Sequence, residues 1–133
     1  MKKILLTLGT AACLLSGCNC MQHSSSKLVG GDRDKHGCIG SAGYTWSHVR
    51  KDCIRIFEEG IRLHSPNTQQ TDVAFIVFSD DKKEVELFLP PKGKNGILQR
   101  REHFVWKGKK WKLIQKDNKW ILKEKGETVY LQP

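Results

Sequence analysis

The sequence predicts an α+β fold in which one N-terminal helix packs on a small antiparallel β-meander. Apolar residues recur at spacings of three and four between Trp46 and Phe57, which is the period of a helix. From Ile61 onward the spacing changes to two, which is the period of a half-buried strand. Turn-forming residues separate the later apolar segments, as expected for consecutive antiparallel strands.

The helix is predicted over residues 45–60. Thr45 or Ser47 can cap its start, and Gly60 suits its end. Its apolar face would comprise Trp46, Val49, Cys53, Ile56 and Phe57.

The strands begin with a predicted hairpin. Residues 72–78 form a β-prone apolar run, residues 79–82 suit a turn, and Val85, Leu87 and Leu89 alternate with other residues. Residues 90–96 are predicted to be a loop. Four further strand segments follow at 104–106, 111–114, 120–122 and 128–131, with lysine-rich turns at 107–110 and 116–119.

The N-terminus has the features of an export signal. Lys2 and Lys3 precede an apolar run, residues 4–15, that is too short to span a bilayer as a helix. The run ends in Leu15-Ser16-Gly17-Cys18, which resembles the lipobox of bacterial lipoproteins at all four positions. The resemblance implies cleavage after Gly17, thioether-linked diacylglycerol on Cys18 and an acyl chain such as palmitate on the new amino group.

These features divide the chain into three parts: a lipoprotein signal peptide at 1–17, a polar tether at 18–34 and one small globular domain at 35–133. In the proteobacterial lipoproteins that the signal resembles, an aspartate after the lipid-bearing cysteine favours inner-membrane retention. Asn19 stands there instead. We therefore expect a lipid-anchored envelope protein on the outer membrane, facing the periplasm.

The remaining cysteines predict a disulfide, because the exported compartment is oxidising. Cys38 and Cys53 both lie within the globular segment and are predicted to pair, whereas Cys20 lies in the tether and its state stays open. A zinc site that joined these two cysteines to His36 and His48 is disfavoured, because the spacing departs from the usual paired-ligand patterns. We expect no metal and no cofactor.

A second resemblance covers residues 34–60. The letters GCIGSAGYTW at 37–46 and CIRIFE at 53–58 resemble a motif of small secreted proteins and lipoproteins of Bacteroidetes-like bacteria. In similar sequences a cysteine can stand at the position of Ser47, so its absence leaves Cys38–Cys53 as the simplest pairing. The resemblance implies a defined structural unit and no particular chemistry.

Charge gives the main indication of function. Residues 82–133 carry 14 basic and 6 acidic side chains, while residues 18–81 carry 7 and 8. Candidate ligands for an anionic partner are Lys107, Lys109, Lys110, Lys112, Lys116 and Lys119, which are interleaved with tryptophans. The alternative is that alternation buries the tryptophans and exposes the lysines, as any half-buried sheet requires.

Two functions are compatible with this pattern. The first is a non-catalytic binding module whose basic face contacts anionic lipid, cell-wall polymer or an acidic protein. The second is a periplasmic inhibitor of a lysozyme-like or proteolytic enzyme. We expect no enzymatic activity, because the sequence offers no convergent nucleophile and base. We also expect no nucleic-acid partner, because the chain is predicted to be an envelope protein.

Overall fold

The computed structural model describes residues 31–91 and 94–133 of the chain. The predicted signal peptide, Cys18, Cys20 and the tether as far as residue 30 lie outside the described residues. Short helical segments occur at Gly40–Ala42 (3₁₀) and at Ile56–Glu59 (α1). The strands are β1 Thr45–Ser47, β2 Asp52–Ile54, β3 Ile61–His64, β4 Val73–Phe78, β5 Glu84–Leu89, β6 Lys94–Glu102, β7 Val105–Lys107, β8 Trp111–Lys116, β9 Lys119–Glu124 and β10 Glu127–Leu131.

Strands β3 to β10 form a closed antiparallel barrel in which each strand pairs with its neighbours in sequence. Closure joins the two ends of this meander, with Leu131 of β10 opposite His64 of β3. Sequential antiparallel pairing needs only short turns, and closing the sheet removes its edges.

The predicted α+β fold class is therefore wrong, and so is the helix over residues 45–60. Residues 45–54 form the β1–β2 hairpin, in which Trp46 lies opposite Cys53, and α1 is a single turn of four residues. Gly60 does end that turn as its C-cap residue. Glycine suits the position because a Cβ atom there would lie 2.5 Å from the carbonyl oxygen of Ile56. Short isolated helices are marginal, so the disulfide and the packing of this segment on the barrel determine its conformation.

The barrel interior is filled by aliphatic side chains that alternate along each strand with outward-facing residues. Leu63, Ile76, Leu87, Leu113 and Leu122 are fully buried there. The period of two that was read from the sequence thus gives the inward and outward faces of most strands.

We call residues 32–55 the cover, because this segment packs on the outer surface of β4 and β5. Val49 and Ile54 from the cover form a second buried cluster with Val77 of β4 and Phe88 of β5. The barrel wall is consequently buried on both sides at these two strands.

The predicted Cys38–Cys53 disulfide is confirmed, with an S–S distance of 2.04 Å. It ties the loop before β1 to strand β2. Asp34 tightens the same loop by accepting hydrogen bonds from the backbone N–H groups of His36 and Cys38, at 2.8 and 2.9 Å. The bond from Cys38 is the main reason that the pKa of the Asp34 carboxyl lies below its ordinary value.

The two ends of the barrel differ. The end that holds the β4–β5, β6–β7 and β8–β9 turns is lined by aromatic side chains, and we call it the aromatic mouth. The other end holds the β3–β4, β5–β6, β7–β8 and β9–β10 connections, and we call it the opposite mouth. Within the described residues, no helix has the length and apolar character needed to cross a membrane.

Candidate functional site

Five lysines of the C-terminal half meet on one side of the barrel, on the outer surface of β7, β8 and β9. Trp106, Leu113 and Leu122 point inward on these strands, so the residues that alternate with them point outward. We call the outward set the lysine wall: Val105, Lys107, Lys112, Ile114, Lys116, Lys119, Ile121 and Lys123.

Strand register arranges these eight side chains in rows across the three strands. Lys112 lies directly opposite Lys107 on one side and Lys123 on the other. Ile114 is likewise flanked by Val105 and Ile121.

A second lysine row is formed by Lys116 and Lys119, which lie opposite each other at the far end of β8 and β9. An aliphatic strip therefore separates two rows of positive charge.

The outward positions of the lysine wall contain no carboxylate. Among the described residues, no Asp or Glu lies within 4.0 Å of the amino group of any of its five lysines. Directly opposed side chains have Cβ atoms about 4.5–5.5 Å apart, and like charges at that distance destabilise a sheet. The fold alone therefore gives no reason for three adjacent lysines.

The predicted lysine set divides into two groups. Lys107, Lys112, Lys116 and Lys119 belong to the lysine wall, whereas Lys109 and Lys110 lie at the β7–β8 turn. Lys110 forms an ion pair of 2.6 Å with Glu124, and its amino group lies 5.0 Å from the centre of the Trp111 ring. The structure does not bring all six predicted lysines into one site.

Lys123 also belongs to the lysine wall, but it was not among the binding residues predicted from the sequence. Its position four residues after Lys119, in a strand of period two, places both on the same face. The predicted strand ended at residue 122, one position too early to include it.

The predicted combination of lysine and tryptophan is not present on the wall. Trp106 is buried, while Trp111 and Trp120 are half-buried and line the opposite and aromatic mouths respectively. Alternation thus sends the tryptophans inward and the lysines outward. A ligand on the lysine wall would meet ammonium groups and aliphatic side chains, with no aromatic stacking.

His36 and His48, the two histidines near the disulfide that were considered as zinc ligands, make ring contacts in the structure. The ring of His36 stacks on Trp46 at 4.4 Å between centroids and meets the edge of His48 at 6.2 Å. Because Cys38 and Cys53 are bonded to each other, neither can supply a thiolate.

The lysine wall is thus a surface that can attract anions through charge. Comparisons of the chain with protein-family models, curated proteins and solved structures found no match. The assignment of a function therefore depends on the chemistry of the described residues.

Proposed function

We propose that this chain is a non-catalytic binding module of the bacterial envelope, which holds an anionic polymer on its lysine wall. One observation carries the proposal: the eight outward positions of β7 to β9 comprise five lysines, three aliphatic residues and no carboxylate. A surface of one charge sign raises the local concentration of oppositely charged ligands.

The position of the wall favours a polymer over the membrane that would carry the lipid anchor. In the barrel order, β8 lies four strands from β4 in either direction, and β9 lies four strands from β5. The lysine wall is therefore across the barrel from the cover, which is the N-terminal part of the described chain. An anchor before the cover would favour a wall that faces away from the membrane.

The shape of the wall also suits an extended ligand. The row Lys107–Lys112–Lys123 crosses three strands at the usual spacing of about 4.8 Å per strand. A polysaccharide with regularly spaced carboxylates or phosphates can contact several such ammonium groups at once. The attraction should weaken with salt, because exposed charges are screened beyond about 8 Å at physiological ionic strength.

Lys112→Glu tests this role and separates it from a role in stability. The substitution changes two like-charge pairs, with Lys107 and Lys123, into two opposite-charge pairs. We expect unfolding free energy to rise by about 0.5–1 kcal/mol in total. Binding of a fluorescently labelled polyuronate, measured by anisotropy at low salt, should fall by about fivefold, since one contact of this kind is worth about 1 kcal/mol.

Lys35→Glu is the matched control, because it makes the same charge change on the exposed surface of the cover. It should leave polyuronate binding nearly unchanged. Equal losses of polyuronate binding in the two variants would show that binding depends on net charge alone. That result would refute binding at the lysine wall. Tighter binding of the wild type to phosphatidylglycerol vesicles than to the polyuronate would assign the wall to a membrane instead.

The lipid anchor on Cys18 is the second part of the proposal, and the lipobox resemblance supports it. Cys18→Ser should remove the acylation site and shift the protein from the membrane fraction to the soluble or unprocessed fraction. Cys20→Ser is the control and should leave membrane partitioning intact. Detergent-phase partitioning by both variants alike would exclude Cys18 as the site of the anchor.

A further inference from the structure

The aromatic mouth contains a cavity of about 560 Å³ that the proposed function does not use. It lies at the end of the barrel, at the β4–β5, β6–β7 and β8–β9 turns, and is open to solvent. Mouths of β-barrels are common positions for small-molecule sites, which combine an apolar lining with a few polar groups.

Three aromatic rings form the floor of this cavity. Phe78 lies 5.2 Å from Trp106 and 4.9 Å from Trp120, and the two indoles lie 5.4 Å apart, all measured between ring centroids. The Trp106 indole donates a hydrogen bond of 3.0 Å to the carbonyl oxygen of Lys82, which fixes its ring. The floor is thus a rigid aromatic surface of which Phe78 and Trp120 are partly exposed.

The barrel is closed below this floor. Side chains such as Leu63, Leu87 and Leu122 fill the interior and are fully buried. The cavity therefore has no continuation in which a long acyl chain could extend. A ligand that fits must have a short, flat apolar body.

The lining of the mouth carries three cations, Arg50, Lys82 and Arg100, and one carboxylate, Glu59, so positive charge is in excess. Among the described residues, neither Lys82 nor Arg100 has a carboxylate within 4.0 Å. Arg100 extends from the end of β6, with its guanidinium 5.9 Å from the centre of the Trp106 ring and one nitrogen 3.3 Å from Nδ1 of His103. A third cation, Arg50, is already paired with Asp80.

The backbone at the rim adopts conformations that bulky side chains normally avoid. Phe104 has φ = 60° and Lys82 has φ = 55°, both in the left-handed region. The register of β6 and β7 also shifts between Arg100 and Glu102, as in a β-bulge, a feature frequent at barrel rims and binding sites. Phe104 lies in the β6–β7 turn and is 47% exposed, so its ring is accessible to a ligand at the rim.

We infer that the aromatic mouth binds a small aromatic carboxylate. Its ring system would lie against Phe78, Trp120 and Phe104, and its carboxylate would meet Arg100 and Lys82. Arginine is suited to this contact, because its planar guanidinium can donate two parallel hydrogen bonds to one carboxylate. The site is separate from the lysine wall and takes a different class of ligand.

The test uses 2-naphthoate as the probe and the indole N–H signals of the four tryptophans in a ¹H–¹⁵N NMR titration. We expect saturable shifts at Trp106 and Trp120. Trp46 lies on the cover and Trp111 at the opposite mouth, so their signals should not move. The uncharged 2-naphthalenemethanol should bind more weakly, and palmitate should not compete.

Two variants and one control locate the contacts. Arg100→Gln should weaken naphthoate binding by about tenfold, the effect of losing one charge-assisted contact, while the neighbouring Arg101→Gln should not change it. Phe104→Gly removes one aromatic ring from the cavity lining, so it should weaken naphthoate binding. The melting temperature should stay nearly constant, because glycine adopts the left-handed backbone conformation without strain.

Absence of shifts at Trp106 and Trp120 would overturn the inference, as would equal affinity for the uncharged analogue or tighter binding of palmitate. Equal effects of the two arginine variants, or full affinity in Phe104→Gly, would overturn the assigned contacts.

Discussion

Glu86 is a residue of the barrel that helps to attach the cover to it. Its side chain points outward from β5 yet is 1% exposed, because the cover lies over it. The carboxylate accepts hydrogen bonds from the hydroxyl of Ser47 at 2.8 Å and from the backbone N–H of His48 at 2.9 Å. Nδ1 of His48 lies 3.0 Å from its other oxygen. One buried carboxylate thus accepts hydrogen bonds from several donors of the turn between β1 and β2.

Glu86→Leu should destabilise the protein far more than a surface change, because it leaves the buried hydroxyl of Ser47 and the backbone N–H of His48 without their acceptor. We expect a loss of about 2–3 kcal/mol in the free energy of unfolding, measured by urea denaturation. Glu84→Gln is the matched control on the same strand, since Glu84 is half-buried and accepts its side-chain hydrogen bond from Gln99. Similar losses in both variants would contradict the role of Glu86.

Single residues also show how far a local pattern can predict a site. Alternation along the sequence places Glu86 on the outer face of its strand, and that placement is correct. Whether an outer face meets water or another part of the chain is decided by tertiary contacts. The same alternation places Lys107, Lys112, Lys116 and Lys119 on the outer face, and they are exposed there because no segment among residues 31–91 and 94–133 covers them.

At the scale of elements, strands were predicted well where period two is strong. The β4–β5 hairpin and the segments that became β7 to β10 are confirmed to within a few residues. Strand β6 was missed altogether, since residues 90–96 were predicted to be a loop and no strand was predicted over residues 97–102. Asn95-Gly96 has the composition of a turn, whereas Gly96 pairs with Leu87 inside the sheet.

The prediction of a helix over residues 45–60 was wrong for a more general reason. Apolar spacings of three and four over a dozen residues are compatible with a helix, but also with a short hairpin whose two strands are apolar. The disulfide and Glu86 both stabilise the hairpin, and neither contact is visible in the local period. Residues 45–54 are therefore organised by partners distant in sequence.

The cover is an element whose stability can be tested independently of the barrel. Cys38→Ser combined with Cys53→Ser should lower the free energy of opening the cover by about 3 kcal/mol, the chain-entropy estimate for a loop of about 15 residues. Because β1 and β2 form their own sheet, hydrogen exchange should accelerate mainly at residues 38–54. Equal loss of protection in β4 to β9 would instead show that the cover and the barrel unfold as one unit.

For the whole molecule, closure of the barrel was the step that the sequence did not predict. An open meander and a closed barrel have the same turns and the same alternation, so local patterns do not distinguish them. Closure depends on the number and tilt of the strands and on the meeting of the first with the last. Here that meeting joins Leu131 to His64, two residues far apart in the chain.

The placement of the cover and the lysine wall on opposite sides has a mechanical consequence. If the N-terminus is held by lipid and the wall by a polymer, a pull between the two crosses the barrel from β4 and β5 to β8 and β9. Tension that enters before residue 38 passes through the Cys38–Cys53 bond and continues after residue 53. The β1–β2 turn lies between the two bonded cysteines, so a pull cannot extend residues 39–52 while the disulfide is intact.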